Sequence, residues 1–193
     1  MIGDYIVLAA IGFVAQCVDG ALGMAFGVIS NSALLTMGIA PAQASAIVHT
    51  AEVFTTAGSA VSHLYHRNVD WRLVWRLGVP GVLGAILGAT VLSNVDSRIG
   101  RPVIAVYLLI MGVLILLRAT RTLTPREAPA KWTPALGLGG GFLDASGGGG
   151  WGPLVTSTLI GSGHAARTTI GSVNATEFFV TVAAATTFFI ELG

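Results

Sequence analysis

Four stretches of the chain carry no Asp, Glu, Lys or Arg at all: residues 20–51, 77–95, 102–117 and 145–166. An α-helix needs about 17–25 apolar residues to cross the hydrocarbon of a bilayer, and the first stretch is long enough for more than one element. Charged residues make up 10% of the chain and hydrophobic residues 53%, with a mean hydropathy of +0.79. A soluble domain carries about 25% charged residues. The pattern predicts an all-α polytopic integral membrane protein whose first partner is the lipid bilayer. A net charge of +1 without a basic stripe argues against nucleic acid as a partner.

The single cysteine, Cys17, allows no intrachain disulfide and has no neighbouring Cys at metal-ligand spacing. Met1-Ile2-Gly3-Asp4-Tyr5 lacks the Lys or Arg of a cleavable leader. Residue 1 is therefore expected to open a retained segment. Val14-Ala15-Gln16-Cys17 is a poor lipoprotein site, because Gln16 stands where a small residue is wanted.

Glycine interrupts two of the apolar regions. Within 132–163 runs Phe142-Leu143-Asp144-Ala145-Ser146-Gly147-Gly148-Gly149-Gly150-Trp151-Gly152-Pro153. Each glycine costs about 1 kcal/mol relative to alanine in a helix interior, and Pro153 lacks an N–H but suits the first turn of a new helix. The segment is expected to be a broken helix or hairpin. The free N–H groups of its second half would then face a cavity, which makes an anion site without adding cations. A tight helix-packing surface is the alternative. Residues 5–37, with Gly12, Asp19, Gly20, Gly23 and Gly27, are expected to break in the same way.

Single spans are expected at 41–64, with Pro41 starting the helix, at 77–95, at 102–117 and at 168–190. Gly84 and Gly88 give the second of these a face that another helix can approach closely, and Pro80 should fall in its first turn. Trp71 and Trp75 suit a membrane interface. Loops 65–76 and 118–131 hold seven of the ten basic residues and are two spans apart, which puts both on the cytoplasmic side.

Asp19 and Asp144 are 125 residues apart (144 − 19), and so are Glu52 and Glu177 (177 − 52). The same offset pairs Gly12 with Gly137, Gly23 with Gly148, Gly27 with Gly152, Ser32 with Ser157, Leu34 with Leu159, Gly38 with Gly163, Ala40 with Ala165 and Val48 with Val173. These ten identities in positions 12–52 compare with roughly three expected from such a composition. The chain divides into a first repeat at 1–117, a cytoplasmic linker at 118–131 and a partial second repeat at 132–193. If 132–163 returns to the side it left, the copies are antiparallel, an inverted repeat of the kind secondary transporters use. A single crossing would make them parallel.

Gly20-Ala21-Leu22-Gly23-Met24-Ala25-Phe26-Gly27, the turn Gly38-Ile39-Ala40-Pro41-Ala42-Gln43-Ala44 and the echo at Gly148-Gly149-Gly150-Trp151-Gly152-Pro153 resemble the TauE/SafE sulfite exporter family of permeases. The resemblance covers essentially the whole chain. It implies two homologous halves, a bacterial-type inner membrane and transport of sulfite, sulfonates or related organic anions. The second copy departs from the pattern by stopping before counterparts of spans 77–95 and 102–117. The chain is therefore expected either to be a truncated form of a longer permease or to take its partner helices from elsewhere, and a homodimer would cover the faces this leaves.

Asp19, Glu52, Asp144 and Glu177 are acids in apolar surroundings, where an ionised group costs several kcal/mol unless paired or hydrated. Helix capping is the competing role for the two aspartates beside the glycines. An anion carrier must offset such acids, so they are expected to hold protons, which suits proton coupling. The substrate-binding set is Asp19, Gly23, Gly27, Asn31, His49, Glu52, Asp144, Gly148, Gly149, Gly150, Trp151, Gly152, Ser157, Asn174 and Glu177. His49 shares a helical face with Glu52, and Asn174 repeats it before Glu177. His49, Glu52 and His63 do not form a recognisable metal spacing, so neither metal nor cofactor is expected. No nucleophile–base constellation or phosphate loop is visible, which argues against an enzyme. A permease for a small anion fits best; a membrane scaffold packed through its glycines is the alternative.

Overall fold

The computed structural model describes residues 2–119 and 130–193; most of the linker expected at 118–131, including Arg121, Pro125, Arg126 and Pro129, lies outside the described residues. Among the described residues all regular structure is helical. The helices are α1 (Ile2–Leu22), α2 (Phe26–Thr36), α3 (Pro41–Tyr65), α4 (Trp71–Ser93), α5 (Ser97–Ala119), α6 (Thr133–Gly147), α7 (Ser157–Gly161) and α8 (Ala166–Leu192). A 3-10 turn at Ala130–Trp132 leads into α6, and a wide π-turn at Trp151–Thr156 leads into α7. Trp71–Ser93, Ser97–Leu117 and Ala166–Leu192 are long and apolar enough to cross a membrane. At 25 residues α3 is about 37 Å long, also enough to span, but its inner face carries Ser45, His49, Glu52 and Thr56.

Two spans begin earlier than their charges suggested. Asp70 caps α4 by accepting from the Arg72 N–H at 2.9 Å, so Trp71, Arg72, Trp75 and Arg76 are helical and Pro80 lies inside the helix instead of in its first turn. Asp96 does the same for α5, accepting from the Arg98 N–H at 2.7 Å, and Pro102 becomes internal. The physical reason is that a carboxylate cap, not the last charge, decides where a helix starts. Arg101 then donates to the carbonyls of Gly38 (2.9 Å) and Ile39 (3.1 Å), tying the start of α5 to the turn between α2 and α3.

Glycine contacts fix the directions of the helices. A methyl at Gly137 would lie 2.5 Å from the Leu77 carbonyl oxygen, and one at Gly141 would strike the Gly81 carbonyl. In return Gly84 faces Leu138 and Gly88 faces Phe142. The contact climbs both helices together, so α4 and α6 are parallel and in backbone contact. α8 also runs parallel to α4: Ser172 Oγ accepts from the Asp70 N–H at 2.8 Å near one end, and Asn94 Nδ2 donates to Glu191 Oε2 at 3.4 Å near the other. α3 is antiparallel to α8, with the His49 ring 5.9 Å from Phe188.

Arg167, opening α8, donates to Asn68 Oδ1 at 2.7 Å, beside the start of α4. The start of α6 and the end of α7 face each other across a cleft of ≈ 400 Å³ lined by Trp132, Thr133, Leu159, Ser162 and His164. Residues 133–161 therefore leave and return to the same end of the bundle. α6 is 15 residues, about 22 Å, which stops short of a 30 Å hydrocarbon core.

Candidate functional site

The site is built where two helices break. At the first break Gly23 takes a left-handed φ of 70°, Ala25 has φ 162° and ψ −13°, and Asp19 Oδ1 accepts from the Phe26 N–H at 3.2 Å. At the second, Gly148 has φ 72°, Gly150 has φ 178° and ψ −11°, and Asp144 Oδ1 accepts from the N–H groups of Gly150 (2.7 Å) and Trp151 (2.9 Å). The two breaks share one geometry at the offset of 125 residues (148 − 23). Both aspartates therefore cap, as the competing role requires. Only Gly149, at φ 133°, adds a glycine-dependent conformation without a counterpart at the first break, where Met24 stands.

The breaks touch each other. A methyl on Gly27 would lie 2.6 Å from the Gly149 Cα and 2.9 Å from Glu52 Oε1, and Asn31 Nδ2 donates to the Gly147 carbonyl at 3.0 Å. Between them lies a cavity of ≈ 10 Å³ lined by Asp19, Gly27, Glu52, Asp144, Gly150, Gly152, Pro153 and Glu177 among others. All four intramembrane acids meet there. The volume is about that of one water-sized sphere, so this is a closed conformation for any oxyanion.

His49 joins the acids from α3. Its Nδ1 lies 2.8 Å from the Ser45 carbonyl, which only accepts, so that nitrogen carries a proton. Its Nε2 lies 3.2 Å from Asp144 Oδ2, and both residues are buried. A hydrogen bond there needs a second proton, on the ring or on the carboxylate. Ser45 Oγ donates to the Ala145 carbonyl at 2.8 Å, pinning α3 to the last turn of α6.

Other residues of the predicted set stand apart from the cavity. Gly23 faces Ile170. Trp151 fills the space against Gly81 and donates its indole N–H to the Val173 carbonyl at 3.2 Å, so it anchors the second break to α8. Ser157 Oγ lies 3.6 Å from Met24 Sδ. Asn174 donates to Ile170 on its own helix at 3.0 Å and does not take the place in its half that His49 takes in the other. Gly148 is the left-handed residue of the turn and packs on Asn31.

Two contributors carried little or no signal in sequence. Ser45 sits one turn before His49 on the same face, which a closer look at that face finds. Tyr107 of α5 packs its ring on Gly147 and its buried hydroxyl on Gly150, and nothing near it in sequence marks it. A larger groove of ≈ 830 Å³ between α2 and α5 offers Arg101, Ser32 and Thr36 amid apolar side chains and no acid, so it is separate from this chemistry.

Comparison with known proteins agrees with this architecture. The family model described as "Sulfite exporter TauE/SafE" matches residues 8–193. The probable membrane transporter protein YtnM of Bacillus subtilis (strain 168) is 45% identical over 195 residues, covering 97% of this chain and 65% of the relative. The chain thus spans less than two-thirds of the length of that relative. No solved structure matches it. With an all-helical bundle, apolar spans and a family match over nearly all its length, the chain belongs to the TauE/SafE sulfite exporter family of membrane transporters.

Proposed function

We propose that the chain is the transport unit of a proton-coupled permease for a small anion, sulfite or a related sulfur-containing or organic anion, in the bacterial plasma membrane. The observation that carries this reading is the meeting of four acids and two broken helices at one buried cavity. A scaffold packed only through glycines has no use for duplicated carboxylates at such a place. The antiparallel α3–α8 pair and the matching breaks support an inverted repeat, with the site at its centre.

The half-helix N-termini are the anion donors in this reading. In the closed conformation Asp19 and Asp144 occupy their N–H groups, so an entering oxyanion must displace a carboxylate. Like charges repel, and the cavity walls hold Asp19 on α1, Glu52 on α3, Asp144 on α6 and Glu177 on α8, with His49 behind them and Tyr107 on α5. Protons must therefore accompany the anion, and of the duplicated pair Glu52 and Glu177 we propose Glu177 for the coupling role, because it is the less buried of the two.

The test is flux of radiolabelled sulfite in liposomes across a pH gradient, with sulfate, a sulfonate and an uncharged solute as controls. Selective anion flux that falls as pH rises is expected, and Glu177→Gln should flatten that pH dependence in a folded protein. Absence of selective flux would overturn the permease; unchanged pH dependence in the variant would overturn the role of Glu177. The mass of the detergent-solubilised particle in the same preparation tests a homodimer, proposed because methyl groups on Gly12 of α1 and Gly58 of α3 would meet nothing within 4 Å. A single-chain mass would remove it.

A further inference from the structure

The cavity described above is rich in acceptors and poor in donors. Glu52 is 4% exposed, and its Oε2 has no hydrogen-bond partner. Asn31 Oδ1, packed on the Gly147–Gly150 turn, is likewise buried without one. Asp144 and His49 are 1% and 0% exposed. An unsatisfied buried carboxylate oxygen is expensive, and a cation is the ligand that satisfies several such atoms together. One ligand atom from each of His49, Glu52 and Asp144 lies within 4.8 Å of the other two.

The second shell is the one that metal ligands have. His49 commits Nδ1 to the Ser45 carbonyl, leaving Nε2 aimed at Asp144 Oδ2, and a metal-ligating histidine almost always donates its other nitrogen to such a carbonyl or carboxylate. Asp144 commits Oδ1 to the amides of Gly150 and Trp151, so that Oδ2 faces His49 Nε2, and an ion between the two would replace the hydrogen bond they now share. His49 and Asp144 are thus each oriented by a bond made with the other atom.

We propose that His49 Nε2, Asp144 Oδ2 and the Glu52 carboxylate form a three-ligand site for a divalent transition-metal cation of the zinc or cobalt class. Mixed imidazole and carboxylate donors favour these ions over calcium and magnesium, which take all-oxygen shells. Three protein ligands leave a fourth position open, on the side of the cavity that Glu177 and Asp19 line. The ion brings positive charge to a cavity wall that has no Lys or Arg side chain. The site stands on its own geometry and does not depend on which solute is transported.

In sequence the third ligand weighed beside His49 and Glu52 was His63, at a spacing that makes no recognisable metal motif. That residue instead lies in the last turn of α3, with its Nδ1 3.4 Å from Asn68 Nδ2. The fold supplies Asp144 from 95 residues away.

The test is titration of metal-stripped protein in detergent with cobalt(II) chloride and zinc chloride, read by calorimetry and by the visible absorption of cobalt. One buried site per chain is expected, weakened at least about tenfold by His49→Gln and by Glu52→Gln. It should be retained in Glu177→Gln and in His63→Ala/His66→Ala, which separates its failure from failure of proton coupling at Glu177. No binding, or binding lost only with His63 and His66, overturns the site. If His49→Gln does not fold, X-ray absorption of the zinc-loaded native protein decides. One imidazole with oxygen neighbours at about 2.0–2.2 Å supports the proposal; a sulfur neighbour or several imidazoles overturns it.

Discussion

The closeness of Gly27 to Gly149 makes a single hydrogen atom at Gly27 a structural requirement. A methyl there would press on the Gly149 Cα at 2.6 Å and on Glu52 Oε1 at 2.9 Å, and the backbone neighbour has no rotamer to change. Overpacking of this kind costs about 1–3 kcal/mol. Gly27→Ala should lower the detergent melting temperature by about 2–4 °C per kcal/mol and reduce flux together with it; an unchanged melting temperature would mean that the breaks are not in contact. At the residue scale the two aspartates have a double role. One oxygen of Asp144 caps a half-helix, and the other faces His49. Whether such a residue caps or serves the site was an open choice in sequence, and the structure gives it both tasks through different atoms.

At the scale of elements, α6 carries glycines with opposite duties. Gly137 and Gly141 let its backbone meet that of α4, whereas a methyl at Gly139 would meet nothing within 4 Å. Gly141→Ala is expected to part the two helices and destabilise the protein by about 1–3 kcal/mol. Gly139→Ala on the same helix should be neutral or gain up to about 1 kcal/mol of helix propensity. Thermal unfolding of the pair checks this, and equal effects would refute the parallel packing. The second break was legible from its consecutive glycines followed by Pro153, and the first from Gly20, Gly23 and Gly27 in an apolar run too long for one span. The starts of α4 and α5 were not, since Asp70 and Asp96 look like ordinary loop acids until their caps are seen.

For the whole molecule, the order of ends is the main structural consequence. His66 and Ser162 lie at one end of the bundle, and Met37 and Val95 at the other, near the contact of Arg101 with the α2–α3 turn. In a Cys17→Ser background, His66→Cys and Ser162→Cys should react with an impermeant thiol reagent from one face of the membrane. Met37→Cys and Val95→Cys should react from the opposite face. Labelling of residues 66 and 162 from opposite faces would sink the re-entrant course of 133–161 and with it the inverted repeat.

The sequence by itself determined the membrane class, the placing of two helix breaks and the offset of 125 residues that pairs their acids. These follow from local chemistry: charge-free runs of spanning length, and glycine where a helix has to open. Only the tertiary structure decided that His49 would pair with Asp144 while Asn174 stayed bonded to its own helix, and that Tyr107 would join the site. It also decided that the four acids share one small cavity. Those contacts join residues on different helices, and which helix faces meet is set by close backbone packing between glycines far apart in the chain, which no local pattern encodes.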